Sequence, residues 1–475
     1  MIRSNYLLYP ILFLFYLFFQ SCSTESPTNE LVIAIVWPEK KKDFFHEGVE
    51  LAIKHLKQES SIIKDKNIRF VNIDEGWYGS LEADYRGTQN MVNNIVNIPG
   101  IFAVIGHASN RLSEFSSLSY DKHDITFINI GATATFTSSH GFDYYYRALP
   151  NDQAIAKKIV LTLIHNGYTK PIIIWEPIES KNISLAIIHE YAENRINIIR
   201  DFNFYPVDHK RDYSKRDHTL DRAFMKICAT ISKMDKDTYD SIIILGHPPP
   251  TAYLVNELRK FGVSKLIAGN PRFDSKGFLK LIDQAESKNN PPETSLDPLA
   301  SSIETHFDFS RLDQATQISL AQSYKSEFES SSPLVFPTFI NKTWLPIANR
   351  LFQPEPENYP IFDKFVEEFY DEYSDYPDIW STVGYKSIKL LIHGIMETNS
   401  VAPATVNGYL EFHNKSMGVT GSNRYNSKGE LENPEIYINT YLNGNLKRLI
   451  IPDEGMEIVR LVLDAGSIDE NIISD

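Results

Sequence analysis

Glycine followed by short polar side chains occurs twice where a small molecule could be held. Gly106-His107-Ala108-Ser109-Asn110 and Gly131-Ala132-Thr133 each follow an apolar run. Glycine lets the backbone approach a ligand closely, and Ser109, Asn110 and Thr133 offer hydroxyl or amide groups that suit a carboxylate or another acceptor. The same residues suit a second role, capping helices and satisfying only the protein's own N–H groups. His107 has the same two readings, a hydrogen bond inside the fold or a contact to a ligand. Trp37 and Trp77-Tyr78 stand after two further apolar runs, where an aromatic either lines a cleft or packs beneath a loop.

Bond-making chemistry finds less support. His46 and Glu50, and again His189 and Glu193, stand four apart, a helical spacing that can hold a metal. Neither stretch supplies the second histidine of a zinc-protease signature, so both read as solvated polar faces. The chain carries no G-x-S-x-G elbow, no phosphate-binding G-x-x-x-x-G-K-[ST] loop and no G-x-G-x-x-G fingerprint. The expectation is a binding protein, not an enzyme, with no cofactor and no metal.

These candidates are positioned by an alternation of strand and helix. Residues 31–36 form a continuous apolar run closed by Trp37-Pro38, as in a strand buried on both faces of a parallel sheet. Phe45, Val49, Ile53 and Leu56 then recur at helical spacing. The cycle repeats with strands over 68–73, 101–105 and 125–130 and helices over 81–96 and 112–120. A second series follows Tyr144-Tyr145-Tyr146-Arg147. A helix marked by Ile155, Ile159 and Leu163 and closed by Gly167 opens it, strands follow over 171–175, 196–207, 241–245 and 265–268, and helices run through 220–231 and up to Phe261. From 310 to 360 the rhythm is lost among breakers such as Ser332-Pro333 and Pro354-Glu355-Pro356, and this stretch reads as an insertion. Helical patterns return over 362–373 and 383–396, and 436–441 alternates as a strand after the Lys428-Gly429 turn.

The chain has 475 residues, 42% hydrophobic and 23% charged, which excludes disordered, collagenous and multi-span membrane classes. Its 47 basic against 61 acidic residues give −14, a balance that argues against nucleic acid as a partner. Cys22 and Cys228 are the only cysteines, too few for a disulfide framework or a Cys-rich zinc site. Arg3 precedes an apolar run over 6–19, the length of a signal-peptide core, and Phe19-Gln20-Ser21-Cys22 resembles a bacterial lipoprotein cleavage box. Residues 1–21 are therefore expected to be a signal peptide. Cys22 is the expected lipidation site, and 22–30 a flexible tether holding the mature protein to the bacterial cell envelope, on the periplasmic face. Cys228 would then be the sole free thiol, and a disulfide could form only between chains.

With these landmarks in order, the chain resembles the type I periplasmic solute-binding proteins of the leucine/isoleucine/valine-binding kind. The resemblance rests on Val104-Ile105-Gly106-His107, Gly131-Ala132-Thr133, Tyr146-Arg147-Ala148-Leu149-Pro150-Asn151-Asp152-Gln153 and Gly418-Val419-Thr420-Gly421 with the Lys428-Gly429 turn. It implies an α/β fold of two doubly wound parallel-sheet lobes joined by a three-strand hinge. Lobe 1 would hold 31–148 plus 301–421, with the insertion at about 310–360, and lobe 2 would hold 149–300 plus 422–465. The crossings would lie near Ala148, Ser301 and Gly421.

The family's carboxylate-binding hydroxyl falls on Asn110 and its second hydroxyl on Thr133, with Ser109, Gly131 and Ala132 beside them. In lobe 2 the family's strand-end aromatic falls on His247 after Gly246, and the acid that pairs with a ligand's ammonium falls at Asn270 or Pro271. The resemblance implies capture of a small polar or amphipathic solute, amino-acid-like, an amide or an organic acid, for an ABC permease. A ligand-sensing or partner-docking lipoprotein on the same fold is the alternative. Since neither Asn270 nor Pro271 can pair with an ammonium, the expected ligand lacks a free α-amine and leucine is expected to bind poorly, unless Glu176 or Glu179 supplies the charge.

Overall fold

The computed structural model describes residues 30–39, 43–76, 81–177, 180–204, 218–274, 278–279, 281–282, 334–338, 359–375, 377–412, 417–419, 421–434, 436–442, 445–450 and 460–461. The expected signal peptide, Cys22, most of the tether, Trp77, Glu179 and Ser301 lie outside them.

The first sheet is wholly parallel, in the order β2-β1-β3-β4-β5. Its strands are β1 (Leu31–Trp37), β2 (Ile68–Asp74), β3 (Ile101–Gly106), β4 (Thr126–Asn129) and β5 (Tyr145–Arg147). Helices α1 (Phe45–Glu59), α2 (Leu81–Val96) and α3 (Asn110–Asp121) run between the strands. The period of two along β1 divides its side chains between the two faces. Ile33, Ile35 and Trp37 join Phe45 and Val49 of α1, while Ala34 and Val36 join Val92 and Ile95 of α2 and Tyr120 of α3. Burial on both faces is why the strand reads as an unbroken apolar run.

The second sheet contains five parallel strands in the order β7-β6-β8-β9-β10, extended by an antiparallel β13-β14-β15 edge. Its members are β6 (Pro171–Trp175), β7 (Arg200–Asn203), β8 (Ser241–Leu245), β9 (Leu266–Gly269), β10 (Leu334–Thr338), β13 (Tyr437–Leu442), β14 (Asn445–Ile450) and β15 (Arg460–Leu461). A short hairpin, β11 (Met417–Gly418) with β12 (Gly421–Ser422), precedes that edge. Helices α4 (Asp152–His165) and α5 (Lys181–Glu193) pack against one another, and α6 (His218–Ser232) packs against α7 (Pro248–Lys260). Ile173, Ile243 and Leu245 face the core built with α4 and α5. Ile172, Ile174, Ile242 and Ile244 face Phe224, Ile227 and Leu254 of α6 and α7.

The chain then returns to the first lobe. Helix α8 (Tyr359–Tyr373) meets α1, and α9 (Ile379–Thr398) lies along α1 with α10 (Pro403–Phe412) beside it. Asp378 caps α9 through the Ser381 N–H at 2.8 Å, and Asn399 ends it in the left-handed conformation.

Three sequence expectations are corrected. The stretch over 310–360 is not simply an insertion into lobe 1, because β10 lies within it and pairs with β9 and β13 of the second sheet. The crossing expected near Ser301 lies outside the described residues. The strand expected over 196–207 is only β7, an edge strand whose residues are largely exposed. Cys228 is fully buried, and burial pushes its thiol up to about 12, so it is placed neither for a disulfide between chains nor for thiolate chemistry.

Candidate functional site

In open parallel sheets, ligands sit beyond the carboxyl ends of the strands. In the first lobe that edge carries Glu75 after β2, Gly106-His107 at the end of β3, and Gly131-Ala132-Thr133 after β4. Ser109 takes the N-cap of α3, its hydroxyl accepting from the Leu112 N–H at 3.3 Å. The Asn110 amide oxygen accepts from the N–H groups of Thr133 at 2.8 Å and Ala134 at 3.0 Å. The Asn110 carbonyl group therefore knits the two glycine-containing loops together. Ala132 is similarly held, donating its N–H to Asn129 at 3.0 Å and receiving a hydrogen bond from Arg147 on its carbonyl. Gly131 allows this crossing of loops, because a Cβ there would lie 2.6 Å from the Ala108 carbonyl carbon.

Thr133 faces Asp152, the first residue of α4. Its carbonyl accepts the Asp152 N–H at 2.7 Å. Burial raises the Asp152 carboxyl above its ordinary range, against the Thr133 hydrogen bond and the charges of Arg147 and Arg272.

His107 is fully buried. Its Nδ1 lies 2.7 Å from Glu75 and its Nε2 lies 3.1 Å from the Tyr120 hydroxyl, while the second Glu75 oxygen accepts the Ala108 N–H at 2.8 Å. Burial and the Glu75 charge both raise the Tyr120 hydroxyl, which stays protonated. Of its two readings, His107 takes the internal hydrogen bond.

The second lobe assembles a related edge. Glu176 follows β6, Gly246-His247 follows β8, and Asn270 follows β9. Asn270 donates to the Gly246 carbonyl at 3.1 Å and accepts from the Arg272 N–H at 3.1 Å, so its side chain fastens two strand ends. His247 Nδ1 lies 3.0 Å from Glu176, whose side chain is fully buried while that of His247 is 21% exposed. Burial alone would raise the Glu176 carboxyl. The hydrogen bonds and charge of His247, joined by Arg272, outweigh it and hold Glu176 below its ordinary range. Glu176, which the sequence offered with Glu179 as a source of negative charge in this lobe, stands directly after an apolar strand at this edge. Its place at a strand's carboxyl end was the available signal, and Arg272, whose charge reaches both Asp152 and Glu176, had none in the sequence.

Trp37 does not line this edge. Its ring is fully buried between Phe45, centroids 4.5 Å apart, and Trp380 at 5.1 Å, and its Nε1 donates to Asp43 at 3.1 Å. His189 and Glu193 form an exposed pair at 3.8 Å, a solvated helix face.

The family model described as the receptor family ligand binding region matches residues 46–441. No curated protein matches the sequence. Among solved structures, an ABC transporter substrate-binding protein from Desulfitobacterium hafniense in complex with Leu aligns with a TM-score of 0.63 at 18% identity, covering 88% of this chain and 100% of that one. A branched-chain amino acid transporter substrate binding protein from Streptococcus pneumoniae, in complex with isoleucine, gives 0.62 at 15% identity, with 88% and 97% covered. A solute binding protein of an ABC transporter from R. palustris, in complex with benzoate, gives 0.58 at 11% identity, with 92% and 98% covered. At these identities the likeness is one of fold, the two-lobed type I periplasmic binding protein.

Proposed function

The chain belongs to the receptor family ligand-binding region, and from that premise we propose that it is an extracytoplasmic solute-binding protein. It captures a small polar or amphipathic ligand between two lobes and makes or breaks no bond. The observation that carries this reading is the set of polar groups at the carboxyl ends of both sheets: the Thr133 carbonyl accepts the Asp152 N–H at 2.7 Å where the chain passes from the first sheet to α4, and in the second sheet His247 lies 3.0 Å from Glu176. Ligand binding biases an open–closed equilibrium, because the closed state adds the second lobe's contacts. Of the candidates read from the sequence, Ser109, Asn110, Gly131, Ala132 and Thr133 shape the first-lobe wall and His247 the second.

The reading extends to a lipid anchor on Cys22, placement on the periplasmic face of the envelope, and hand-over of the solute to an ABC permease. One acyl chain binds a membrane only marginally, whereas the multiple chains of a bacterial lipoprotein anchor it stably. A thermal-shift screen of the full-length chain in mild detergent, against amino acids, amides, short peptides and organic acids, tests the binding function. A saturable rise in Tm with one class supports it, and no response across the screen overturns it. Cys22→Ser tests the anchor, which requires that the substituted protein leave the detergent phase or persist as the precursor.

A further inference from the structure

Glu430 stands where the chain passes for the last time from the first lobe to the second, and its two carboxylate oxygens go to different lobes. Oε1 takes first-lobe partners, the hydroxyl of Ser138 in the short helical turn Phe136–Ser139 and, at 3.8 Å, the guanidinium of Arg147 at the end of β5. Oε2 accepts from the Asn151 amide at 2.6 Å. Asn151 is the N-cap of α4, the first helix of the second lobe, and its Oδ1 receives the Ala154 N–H at 2.9 Å. One carboxylate therefore bridges the lobe boundary where two crossings run side by side.

The turn that presents Glu430 is built for that place. Asn426 Oδ1 accepts the N–H groups of Lys428 at 2.9 Å and Glu430 at 3.1 Å, closing the turn from within. Gly429 has a φ of +66°, and a Cβ there would lie 2.8 Å from the Tyr145 carbonyl carbon, so glycine is what lets the turn seat against β5. The Tyr425 ring meets Tyr146 edge-on, centroids 5.1 Å apart. Ser138 and Arg147 are buried and the Glu430 side chain is only 16% exposed, so water competes little for these hydrogen bonds. Arg147 also holds the carbonyls of Ala132 and Ala134, which joins the first-lobe end of the bridge to the loop after β4.

We propose that Glu430 is a latch across the hinge, its two arms setting the balance between open and closed arrangements of the lobes. The consequence for binding rests on the solute-binding reading above. Apparent affinity scales with the fraction of molecules in the competent arrangement, so a change at the latch moves the affinities for all solutes by one factor and leaves their ranking alone. A change in a wall of the cleft alters the ranking instead.

Spin labels carried on p-acetylphenylalanine introduced at Glu114 of α3 and Lys181 of α5, exposed positions on opposite lobes of the full-length chain, report the interlobe distance by double electron–electron resonance. Asn151→Ser keeps a good N-cap but gives up the amide that reaches Oε2, and Ser138→Ala removes a partner of Oε1. Each shifts or broadens the distance distribution of the parent, and Glu430→Gln does so more than either. Calorimetry with leucine, asparagine, benzoate and succinate reads the second consequence: in each hinge variant every probe that binds the parent changes its affinity by one common factor of roughly three to ten, the worth of one hydrogen bond. Ile231→Ala, which opens a cavity beneath α6 on the sheet face opposite α4, lowers Tm and alters neither readout. Unchanged distances in all three hinge variants, the same shift in Ile231→Ala, or a changed ranking of the probes overturns the latch. Failure of every probe to bind the unsubstituted chain overturns the solute-binding reading, and the distance measurement then decides the latch by itself.

Discussion

Arg147 at the end of β5 and Glu430, in the turn ahead of β13, stand 3.8 Å apart and tie the first interlobe crossing to the last. The Arg147 guanidinium also donates to the Ala132 and Ala134 carbonyls, and Glu430 accepts from Asn151 at 2.6 Å. The main chain adds a bond of 2.7 Å from the Arg147 N–H to the Gly429 carbonyl. Removing the acid takes a carboxylate from a buried guanidinium that keeps the Ala132 and Ala134 carbonyls and the Ser138 hydroxyl as acceptors. Glu430→Ala is expected to cost about 2–3 kcal/mol, below the 3–5 of a fully buried pair because the carboxylate keeps some exposure. Urea unfolding measures it, and a change under about 0.5 kcal/mol would contradict the account.

Gly131 is expected to resist even a methyl group. Alanine there would press its Cβ into the His107 carbonyl oxygen and to 2.6 Å from the Ala108 carbonyl carbon, both of them backbone. The loops must separate, which loosens the Asn110 contacts to Thr133 and Ala134. A loss of about 1–3 kcal/mol is expected in chemical denaturation, with weaker binding of whichever solute the screen identifies.

Trp37 separates core from site. Trp37→Ala empties the space between Phe45 and Trp380, and the expected loss is about 3–5 kcal/mol. Its residual folded protein should keep the solute preference of the parent in calorimetry. A changed preference with unchanged stability would place the ring in the cleft after all.

His55 gives the stability an acid limb. It lies in α1 with Nδ1 2.9 Å from the Tyr385 hydroxyl and Nε2 3.5 Å from Glu368. Burial lowers its pKa from the ordinary 6.5; Lys389 and Lys364 act the same way, and Glu368 and Glu59 oppose them. The folded state thus disfavours the proton. Its contribution is complete above the unfolded value near 6.5 and is lost as pH falls through the lower folded one. Between about pH 7 and 5 the fall in Tm should be steeper for the parent than for His55→Asn, and parallel slopes would refute the assignment.

The alternation of strands and helices was legible in the sequence because each demands its own pattern. A strand covered on both faces needs an unbroken apolar run, as over Leu31–Trp37 and Pro171–Trp175, and a helix with one covered face needs the spacing shown by Phe45, Val49 and Leu56. Ser109 and Asn151 as helix caps are equally local, since each bonds an N–H three residues ahead. The family landmarks followed from these elements in their order. What the sequence did not decide by itself is which long-range partner each polar side chain takes. Nothing near Leu334 announces that it joins Ile267 and Tyr441, since pairing in a sheet is made between segments far apart in the chain. Asn110 reads as a ligand contact and Asn270 falls where the resembled family has an acid, yet the approach of neighbouring strand ends spends both amides on the backbone. Two Gly-His pairs, alike as sequence, part company for the same reason. The register of each sheet sets which donors reach the facing glutamate: both oxygens are taken at Glu75, and among the described residues only Oε2 is taken at Glu176.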